Sequence, residues 1–275
     1  MQIKYSFSYW GSEQLTPTQF INAITAEGFE GAELFLTGDR ITDEFLLAIE
    51  GARKLNPDFY FITLQLPFPK ENTVAAHIQV MEENFKRLAE LNPLFINSHT
   101  GKDYFSFDEN SRIIDAAMNF SAKNGIRILH ETHRGRFSFH AASLIPYLDR
   151  FPQMELVGDF SHFCTVSESM LEDQQQIINR ILPHVSHIHA RVGHEQGPQV
   201  SNPQAPEWQG HLDQFIHWWQ QIITIKKQSG QSLFTITPEF GPTPYMPTVP
   251  FTQEPLSSQW DNNVFMKNHL KSLLR

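Results

Sequence analysis

Residues 127–131 read Arg-Ile-Leu-His-Glu, a short and largely apolar run that ends on a glutamate. Three later runs repeat this pattern: ELVGD ends at Asp159, VSHIH ends at His189 and FTITPE ends at Glu239. Runs of this length and composition are typical of strands that are covered on both faces. They lie about 30 to 50 residues apart, which leaves room for a helix between each pair. The pattern therefore predicts parallel strands whose polar last residues meet at one edge of one sheet.

The same alternation of short strands and amphipathic helices extends through the whole chain. The predicted strands cover 3–8, 31–35, 59–65, 94–98, 127–131, 155–159, 185–190 and 233–239. The predicted helices lie near 17–27, 43–54, 73–91, 108–124, 141–149, 168–182, 211–229 and 258–274. Eight such units predict an α/β fold, a (β/α)₈ barrel that forms a single domain over residues 1–275. The alternative is an open doubly wound sheet, but the chain has no G-x-G-x-x-G turn to support it.

Two segments rich in proline interrupt this alternation. Residues 193–210 contain prolines 198, 203 and 206, and residues 241–259 contain prolines 242, 244, 247, 250 and 255. Each segment follows a predicted strand, so in a barrel both would lie at the carboxyl-terminal face of the strands, where active sites are found. We expect ordered walls of a site there, because proline restricts the backbone.

Composition and charge exclude several classes of protein. The formal net charge of -9 argues against a nucleic-acid backbone as the main partner. No apolar stretch approaches the roughly 18 residues of a membrane span. The N-terminus shows no secretory signal, and the one cysteine, Cys164, excludes an internal disulfide and suits a reducing compartment. We therefore expect a cytoplasmic protein with no membrane partner.

The four strand-end residues form a set suited to a divalent metal. Each alone has an ordinary alternative: Glu131 could pair with a nearby arginine, Asp159 could cap a helix, His189 could bond to a backbone carbonyl, and Glu239 could lie in a loop. Together, three carboxylates and one imidazole suit Mn²⁺, Mg²⁺, Co²⁺ or Zn²⁺. We expect Glu131, Asp159, His189 and Glu239 to be metal ligands.

Three further motifs accompany Glu131, His189 and Glu239: GFEGAEL at 28–34, NSHTG at 97–101 and DFSH at 159–162. With these motifs the chain resembles, over most of its length, the xylose isomerase-like TIM barrel superfamily. This group contains sugar phosphate isomerases and epimerases, hydroxypyruvate isomerases, inosose dehydratases and endonuclease-IV-like enzymes. The resemblance implies that the four acid and imidazole residues hold the metal. It also implies that Glu131 and Glu239 are the catalytic acid and base.

The resemblance implies an isomerase or epimerase of a sugar or related hydroxy-carbonyl compound. Removing a proton next to a carbonyl leaves charge on oxygen, and a divalent cation stabilises the resulting ene-diolate. The alternatives are an endonuclease-IV-like phosphodiesterase, a cyclitol dehydratase and a barrel that only binds a partner. Barrels of this superfamily often form homo-oligomers, but no residue in this chain identifies an interface.

Several basic side chains near the strand ends distinguish this chain from a plain neutral-sugar site. Arginine pairs with carboxylate or phosphate through two parallel hydrogen bonds, so the three arginines among them suggest an anionic substrate. The alternative is that these arginines pair with Glu195 or Glu33 of the chain itself. We also considered Trp10 and Phe68 as walls against a sugar face. The candidate substrate-binding residues are His99, His133, Arg134, Arg136, His162, Arg191 and His194.

Overall fold

Eight parallel strands close into a barrel in the computed structural model, which describes residues 1–274. Each strand pairs with the next along the chain, and the first pairs with the last, with Lys4 opposite Thr235. The strands are β1 Gln2–Ser8, β2 Gly31–Leu34, β3 Tyr60–Gln65, β4 Ile96–Ser98, β5 Ile128–Glu131, β6 Leu156–Gly158, β7 Val185–His189 and β8 Leu233–Thr237. The predicted (β/α)₈ barrel is confirmed, and the open doubly wound sheet is wrong.

Helices follow the strands and cover the outside of the barrel. They are α1 Pro17–Ala26, α2 Asp39–Leu55, α3 Val74–Ala89, α4 Phe107–Asn124, α5 Ala141–Arg150, α6 Ser161–Ser167, α7 Gln175–Ile181, α8 Gln209–Gln228 and α9 Gln259–Leu273. Local sequence explains several of their ends. Thr16 and Ser106 each accept a hydrogen bond from the first turn of α1 and α4, and Gly125 ends α4 in the left-handed conformation. None of the helices in the described part of the chain is long and apolar enough to cross a membrane.

One predicted helix, over 168–182, is wrong in its bounds. The helix after β6 begins at Ser161 and ends at Ser167, and a second one begins only at Gln175. Glu168 and Leu171 between them adopt positive φ angles of 47° and 62°, which interrupt a helix. The helix starts early because the Asp159 carboxylate accepts a hydrogen bond from the Ser161 backbone N–H at 3.0 Å.

The core has two parts that together determine the position of the site. A small cluster fills the barrel interior and comprises Tyr60, Ile62, Phe95, Leu129 and Val157. A much larger cluster lies between the barrel and its helices. His187 lies above the inner cluster, where its ring nitrogens are 2.7 Å and 3.0 Å from the hydroxyls of Thr235 and Thr237. His189, two residues further along β7, faces the carboxyl-terminal mouth of the barrel, as strand alternation requires.

The proline-rich segments have different positions relative to the barrel mouth. Residues 241–259 contribute Tyr245 to the cavity there. Residues 193–210 contribute no side chain to that cavity but support its wall, because Gln199 exchanges two hydrogen bonds with the backbone of Gly241. The expectation that both segments line the site is therefore met by only one of them.

Candidate metal centre

Four side chains converge at the carboxyl-terminal mouth of the barrel. Glu131 and His189 are the last residues of β5 and β7, Asp159 follows β6 directly, and Glu239 lies two residues beyond β8. One ligand atom from each of the four lies within 4.8 Å of all the others. All four residues are buried or nearly so. The structure thus brings together the residues that the strand-end pattern singled out.

The central member of this group is the His189 imidazole. Its Nδ1 atom lies 2.9 Å from Glu239 Oε2 and 3.7 Å from Glu131 Oε1. Neither Nδ1 nor Glu239 Oε2 has a hydrogen-bond partner of acceptable geometry, although both are buried. Buried polar atoms without partners are costly, so their convergence on one point indicates a missing charged partner. Three carboxylates and one imidazole nitrogen fit a divalent cation of the Mn²⁺, Mg²⁺, Co²⁺ or Zn²⁺ type.

Glu33 on β2 holds the other side of the same imidazole. Its carboxylate oxygens lie 3.0 Å and 3.1 Å from His189 Nε2, and only 3 % of its surface is exposed. A carboxylate in this position fixes the tautomer that leaves Nδ1 free as a ligand atom. Sequence reasoning placed Glu33 in the GFEGAEL motif but gave it no role. The available signal was a lone acid inside a buried apolar strand.

Asn97 on β4 joins two of the carboxylates. Its side-chain amide donates to Glu131 Oε2 at 2.7 Å and to Glu33 Oε1 at 3.1 Å. His99 Nε2 lies 3.1 Å from the same Glu131 oxygen. Sequence reasoning missed the role of Asn97, because an amide at a strand end carries no specific chemical signal.

The carboxylates and the imidazole perturb one another's protonation. Burial alone would raise the pKa of Glu131, but the neighbouring His99 and His189 outweigh it and hold this pKa well below its ordinary value. Burial would lower the pKa of His189, but Glu239, Glu33 and Glu131 raise it well above its ordinary value. Burial raises the pKa of Glu239. The site therefore favours a positive charge at its centre, which a proton on His189 or a metal at Nδ1 can supply.

Arg191 contributes a fixed positive charge beside two candidate ligands. Its guanidinium donates a hydrogen bond to Asp159 Oδ2 and lies 3.5 Å from Glu239 Oε2. Only 1 % of its surface is exposed, and the guanidinium lies 4.7 Å from the ring centre of Tyr245. Its pairing is with Asp159 and Glu239, and not with the Glu195 or Glu33 alternatives considered from sequence. Its role in binding an anionic substrate stays a prediction.

Among the described residues, the other two arginines form no salt bridge with the three carboxylates of the candidate metal site. The Arg134 guanidinium contacts the same aromatic ring as Arg191, at 4.9 Å from the Tyr245 ring centre. Arg136 is half-buried, and its Nε has no hydrogen-bond partner. Neither side chain lines the cavity at the barrel mouth. Their assignment to substrate binding stays a prediction.

The tilted rings of His99, His133 and His162 form a stack beside the candidate metal site. The ring centres of His99 and His133 are 4.3 Å apart, and those of His133 and His162 are 4.0 Å apart. Burial and the neighbouring rings lower the pKa of His133 and of His162 well below the ordinary value, so both are neutral. His99 and His133 line the cavity, whereas His162 lies behind Arg191, with Nε2 3.1 Å from Nη2.

His194 lies away from the stack. Its backbone pairs with Gly197, and its ring centre is 5.0 Å from that of Trp208. It does not line the cavity at the barrel mouth. Its predicted contact with substrate therefore has no support from the arrangement of the chain.

A cavity of about 590 Å³ opens above the four candidate ligands. Trp10 belongs to its wall, as considered from sequence, whereas Phe68 does not and is 70 % exposed. A cavity of this size accommodates a small organic molecule. Its lining residues include Tyr9, Trp10, Phe35, Ile41, Leu64, Leu66, His99, Glu131, His133, Arg191, Glu239 and Tyr245.

Comparison with known proteins supports the fold and leaves the reaction open. No family model and no curated protein sequence matches the chain. Among solved structures, the probable 3-DHS dehydratase AsbF from Bacillus anthracis is 14 % identical, with 98 % of each chain covered and a TM-score of 0.62. The D-psicose 3-epimerase from Clostridium cellulolyticum H10, solved with D-tagatose, is 11 % identical, with 99 % of each chain covered and a TM-score of 0.61.

A third similar structure comes from Mycobacterium smegmatis and is described as a xylose isomerase-like TIM barrel protein in complex with magnesium. It is 10 % identical, covers 94 % of this chain and 89 % of its own, and has a TM-score of 0.57. Sequence identity this low establishes the fold alone. Enzymes that share this fold thus include an epimerase and a probable dehydratase. The chain has the fold of the xylose isomerase-like TIM barrel proteins.

Proposed function

We propose that this chain is a divalent-metal-dependent isomerase or epimerase of a hydroxy-carbonyl compound related to sugars. The observation that carries the proposal is the convergence of Glu131, Asp159, His189 and Glu239 at the bottom of a cavity of substrate size. A similar fold occurs in proteins described as sugar epimerases and in one described as a magnesium complex. These likenesses support the proposal without identifying the substrate.

The chemistry divides between the bound ion and the side chains. A divalent cation held by the four ligands would stabilise negative charge that develops on the substrate oxygens when a neighbouring C–H loses its proton. Glu131 and Glu239 both line the cavity and would transfer that proton. Arg191 and Asn97 would hold the carboxylates in place through the hydrogen bonds already described.

Metal analysis combined with solvent exchange tests this proposal. Purified protein loaded with Mn²⁺ should hold about one ion per chain, and Glu239→Gln and Glu131→Gln should weaken that binding. In D₂O, the loaded protein should incorporate deuterium next to the carbonyl of an accepted ketose, and both variants should lose at least roughly a hundredfold in exchange rate. A parent protein that binds no divalent metal contradicts the proposal. Metal binding without exchange into any hydroxy-carbonyl compound would instead support the binding-module alternative.

A second candidate function is phosphodiester hydrolysis with two metals. The observation that favours it is a second group of metal-capable atoms, from His99, Glu131 and His133, that shares Glu131 with the first. Paired metal ions that share a ligand are typical of phosphodiesterases. The metal stoichiometry separates the two functions: two ions per chain, of which His99→Gln loses one, would favour hydrolysis. One ion per chain, retained in His99→Gln, would favour the isomerase or epimerase.

A further inference from the structure

The cavity above the four candidate metal ligands has two chemically different halves. One half is polar and comes from the ends of β4 to β8, with His99, Glu131, His133, Arg191 and Glu239. The other half comes from the ends of β1 to β3 and is almost entirely apolar. Its side chains are Tyr9, Trp10, Phe35, Ile41, Leu64 and Leu66.

The apolar half offers few hydrogen bonds to a ligand. The Tyr9 hydroxyl donates to the Leu15 carbonyl at 2.8 Å, and the Trp10 carbonyl accepts from Gln259 at 2.7 Å. Glu13 and Thr37 are exposed at the rim, and the Trp10 indole N–H is the further side-chain donor of this half. Each hydroxyl of a sugar that entered this half would exchange its bonds to water for contact with carbon.

The apolar surface continues outward from the cavity. A neighbouring cavity of about 260 Å³ shares Phe35, Thr37, Leu64 and Leu66 with the first. It extends to Phe68, which is 70 % exposed, and to Val80. Its lining also includes the polar side chains of Asn84 and Arg87, which donate hydrogen bonds to the Leu66 and Leu36 carbonyls. Phe35 itself is 41 % exposed. Apolar side chains thus continue outward from a polar site, which suits a ligand with one polar end and one apolar end.

We propose that the substrate is a hydroxy-carbonyl compound with an apolar arm, either an aromatic ring or a short alkyl chain, and not a free polyhydroxylated sugar. The hydroxy-carbonyl end binds over Glu131 and Glu239. The arm lies against Phe35, Leu64 and Leu66, on the far side of the cavity. This inference rests on the proposed function, because the polar end of the substrate is the end that binds at the candidate metal site.

Hydroxamates test the inference, because they chelate a divalent ion through two oxygens as an ene-diolate would. The probes are acetohydroxamate, benzohydroxamate and the hydroxamate of trihydroxybutanoic acid, which carries a polar arm. Binding to the Mn²⁺-loaded chain is measured by titration calorimetry and compared with chelation of free Mn²⁺. Each affinity is corrected for the compound's chelation of free Mn²⁺. Benzohydroxamate should then bind about tenfold to a hundredfold more tightly than acetohydroxamate, and the trihydroxy compound should bind no more tightly than acetohydroxamate.

Two variants and one control test where the apolar arm of the ligand binds. In Leu64→Asn and in Phe35→Ser the affinity of benzohydroxamate relative to that of acetohydroxamate, both measured in the same variant, should fall below about threefold. Phe35 is partly exposed, so its substitution leaves the fold intact even if Leu64→Asn does not. Leu55→Asn is the control, because Leu55 is 84 % exposed at the end of α2 and lies outside the cavity. It should preserve the full advantage of benzohydroxamate.

The possible outcomes distinguish this inference from the proposed function. One outcome is that acetohydroxamate binds but benzohydroxamate binds no more tightly; another is that the trihydroxy compound gains as much affinity as benzohydroxamate. Either result would contradict the proposed apolar arm and leave the metal site supported. If the advantage survives in both variants, the arm lies elsewhere and the inference is also wrong. If the chain takes up no metal and binds no hydroxamate, the proposed function fails, and this inference fails with it.

Discussion

At the scale of single residues, the site depends on side chains that do not face the substrate. Glu33 holds the Nε2 side of His189, and Asn97 links Glu33 to Glu131. Metal-binding histidines generally need such a partner to fix the ring and its tautomer. Residues of β2, β4, β5 and β7 therefore act together to hold the candidate metal site in place.

Replacing Glu33 with glutamine should weaken metal binding without removing a ligand. Glutamine retains the size of the side chain but loses the charge that favours the N–H at His189 Nε2. We expect the dissociation constant for Mn²⁺, measured by competition with a chelator, to rise about tenfold to a hundredfold. Glu30→Gln, on the same segment but bonded to the backbone of Tyr5, is the matched control and should bind Mn²⁺ like the parent. An unchanged constant in Glu33→Gln would show that Glu33 does not orient the imidazole.

His77 should make the fold sensitive to acid. It is buried on α3 beside the loop after β4, where its Nε2 accepts a hydrogen bond from Gly101 N–H at 3.2 Å. Burial, together with the charges of Arg136 and Lys102, lowers the pKa of His77 from 6.5 to about 4. A lowered pKa means that the unfolded chain binds the proton first, so this contribution to stability is complete above pH 6.5 and is lost as the pH falls towards 4.

The measurement is the free energy of unfolding in urea between about pH 7 and pH 4. His77→Gln keeps an acceptor for Gly101 but cannot take up a proton. The decline in stability with falling pH should therefore be shallower than in the parent, by up to about 1.4 kcal/mol per pH unit. His217→Gln, which removes an exposed histidine, should leave the slope unchanged. Equal slopes in the parent and in His77→Gln would refute the assignment.

At the scale of elements, short loops after the strands place the site residues. The loop after β4 turns at Gly101, which has a φ of 65°. A Cβ atom there would lie 2.2 Å from Asn110 Oδ1, and Asn110 in turn anchors the loop by bonds to Lys102 N and O. The turn follows closely after His99, so its shape determines how that ring meets Glu131. After β8, Asn263 anchors the loop in a similar way. Its Oδ1 accepts a hydrogen bond from the Phe240 N–H, and its Nδ2 donates one to the Phe240 carbonyl.

Alanine at Gly101 should be more costly than alanine at another left-handed glycine. Gly125 has a nearly identical φ of 66°, but a methyl group added there would meet no described residue within 4 Å other than its neighbours along the chain. Gly125→Ala should lower the free energy of unfolding by about 1–2 kcal/mol, through backbone strain alone. Gly101→Ala adds the clash with Asn110 and should cost about 2–4 kcal/mol, as measured by urea denaturation. Equal losses in the two variants would mean that the Asn110 contact relaxes freely.

At the scale of the whole molecule, closing the barrel creates the site. β1 pairs with β8, which brings the apolar residues after β1 to β3 opposite the carboxylates after β5 to β8. The four candidate ligands come from four different strands, so each is held only while the barrel is closed. Metal binding should therefore be coupled to folding of the whole chain.

Mn²⁺ should accordingly stabilise the native protein. At an ion concentration of about 100 times the dissociation constant, the gain is about 2.7 kcal/mol. For a chain of this size that corresponds to a rise in Tm of roughly 5 °C in a calorimetric scan. Asp159→Asn should abolish most of the rise, whereas Asp108→Asn, an exposed residue in the first turn of α4, should retain it. A Tm that Mn²⁺ leaves unchanged in the parent would contradict the metal site.

Much of the architecture could be predicted from local patterns. The alternation of short apolar runs with amphipathic stretches predicted the barrel, and the strand ends predicted which side chains would meet. Several details escaped this reasoning, and two of them show the physical reason. The helix over 168–182 was misplaced, because the Asp159 hydrogen bond that starts α6 depends on where β6 ends. The role of Glu33 was missed, because its partner His189 is 156 residues away along the chain.

The sequence by itself determined the fold class and the candidate ligands Glu131, Asp159, His189 and Glu239, because strand periodicity and the rule that barrel sites lie at carboxyl-terminal strand ends are local properties. Only the tertiary structure decided that Arg191 pairs with Asp159, that Glu33 holds His189 and that the cavity has an apolar half. The Arg191–Asp159 pair joins the ends of the neighbouring strands β6 and β7. The other two features arise only when the closed barrel sets residues from β1 to β3 against residues from β5 to β8.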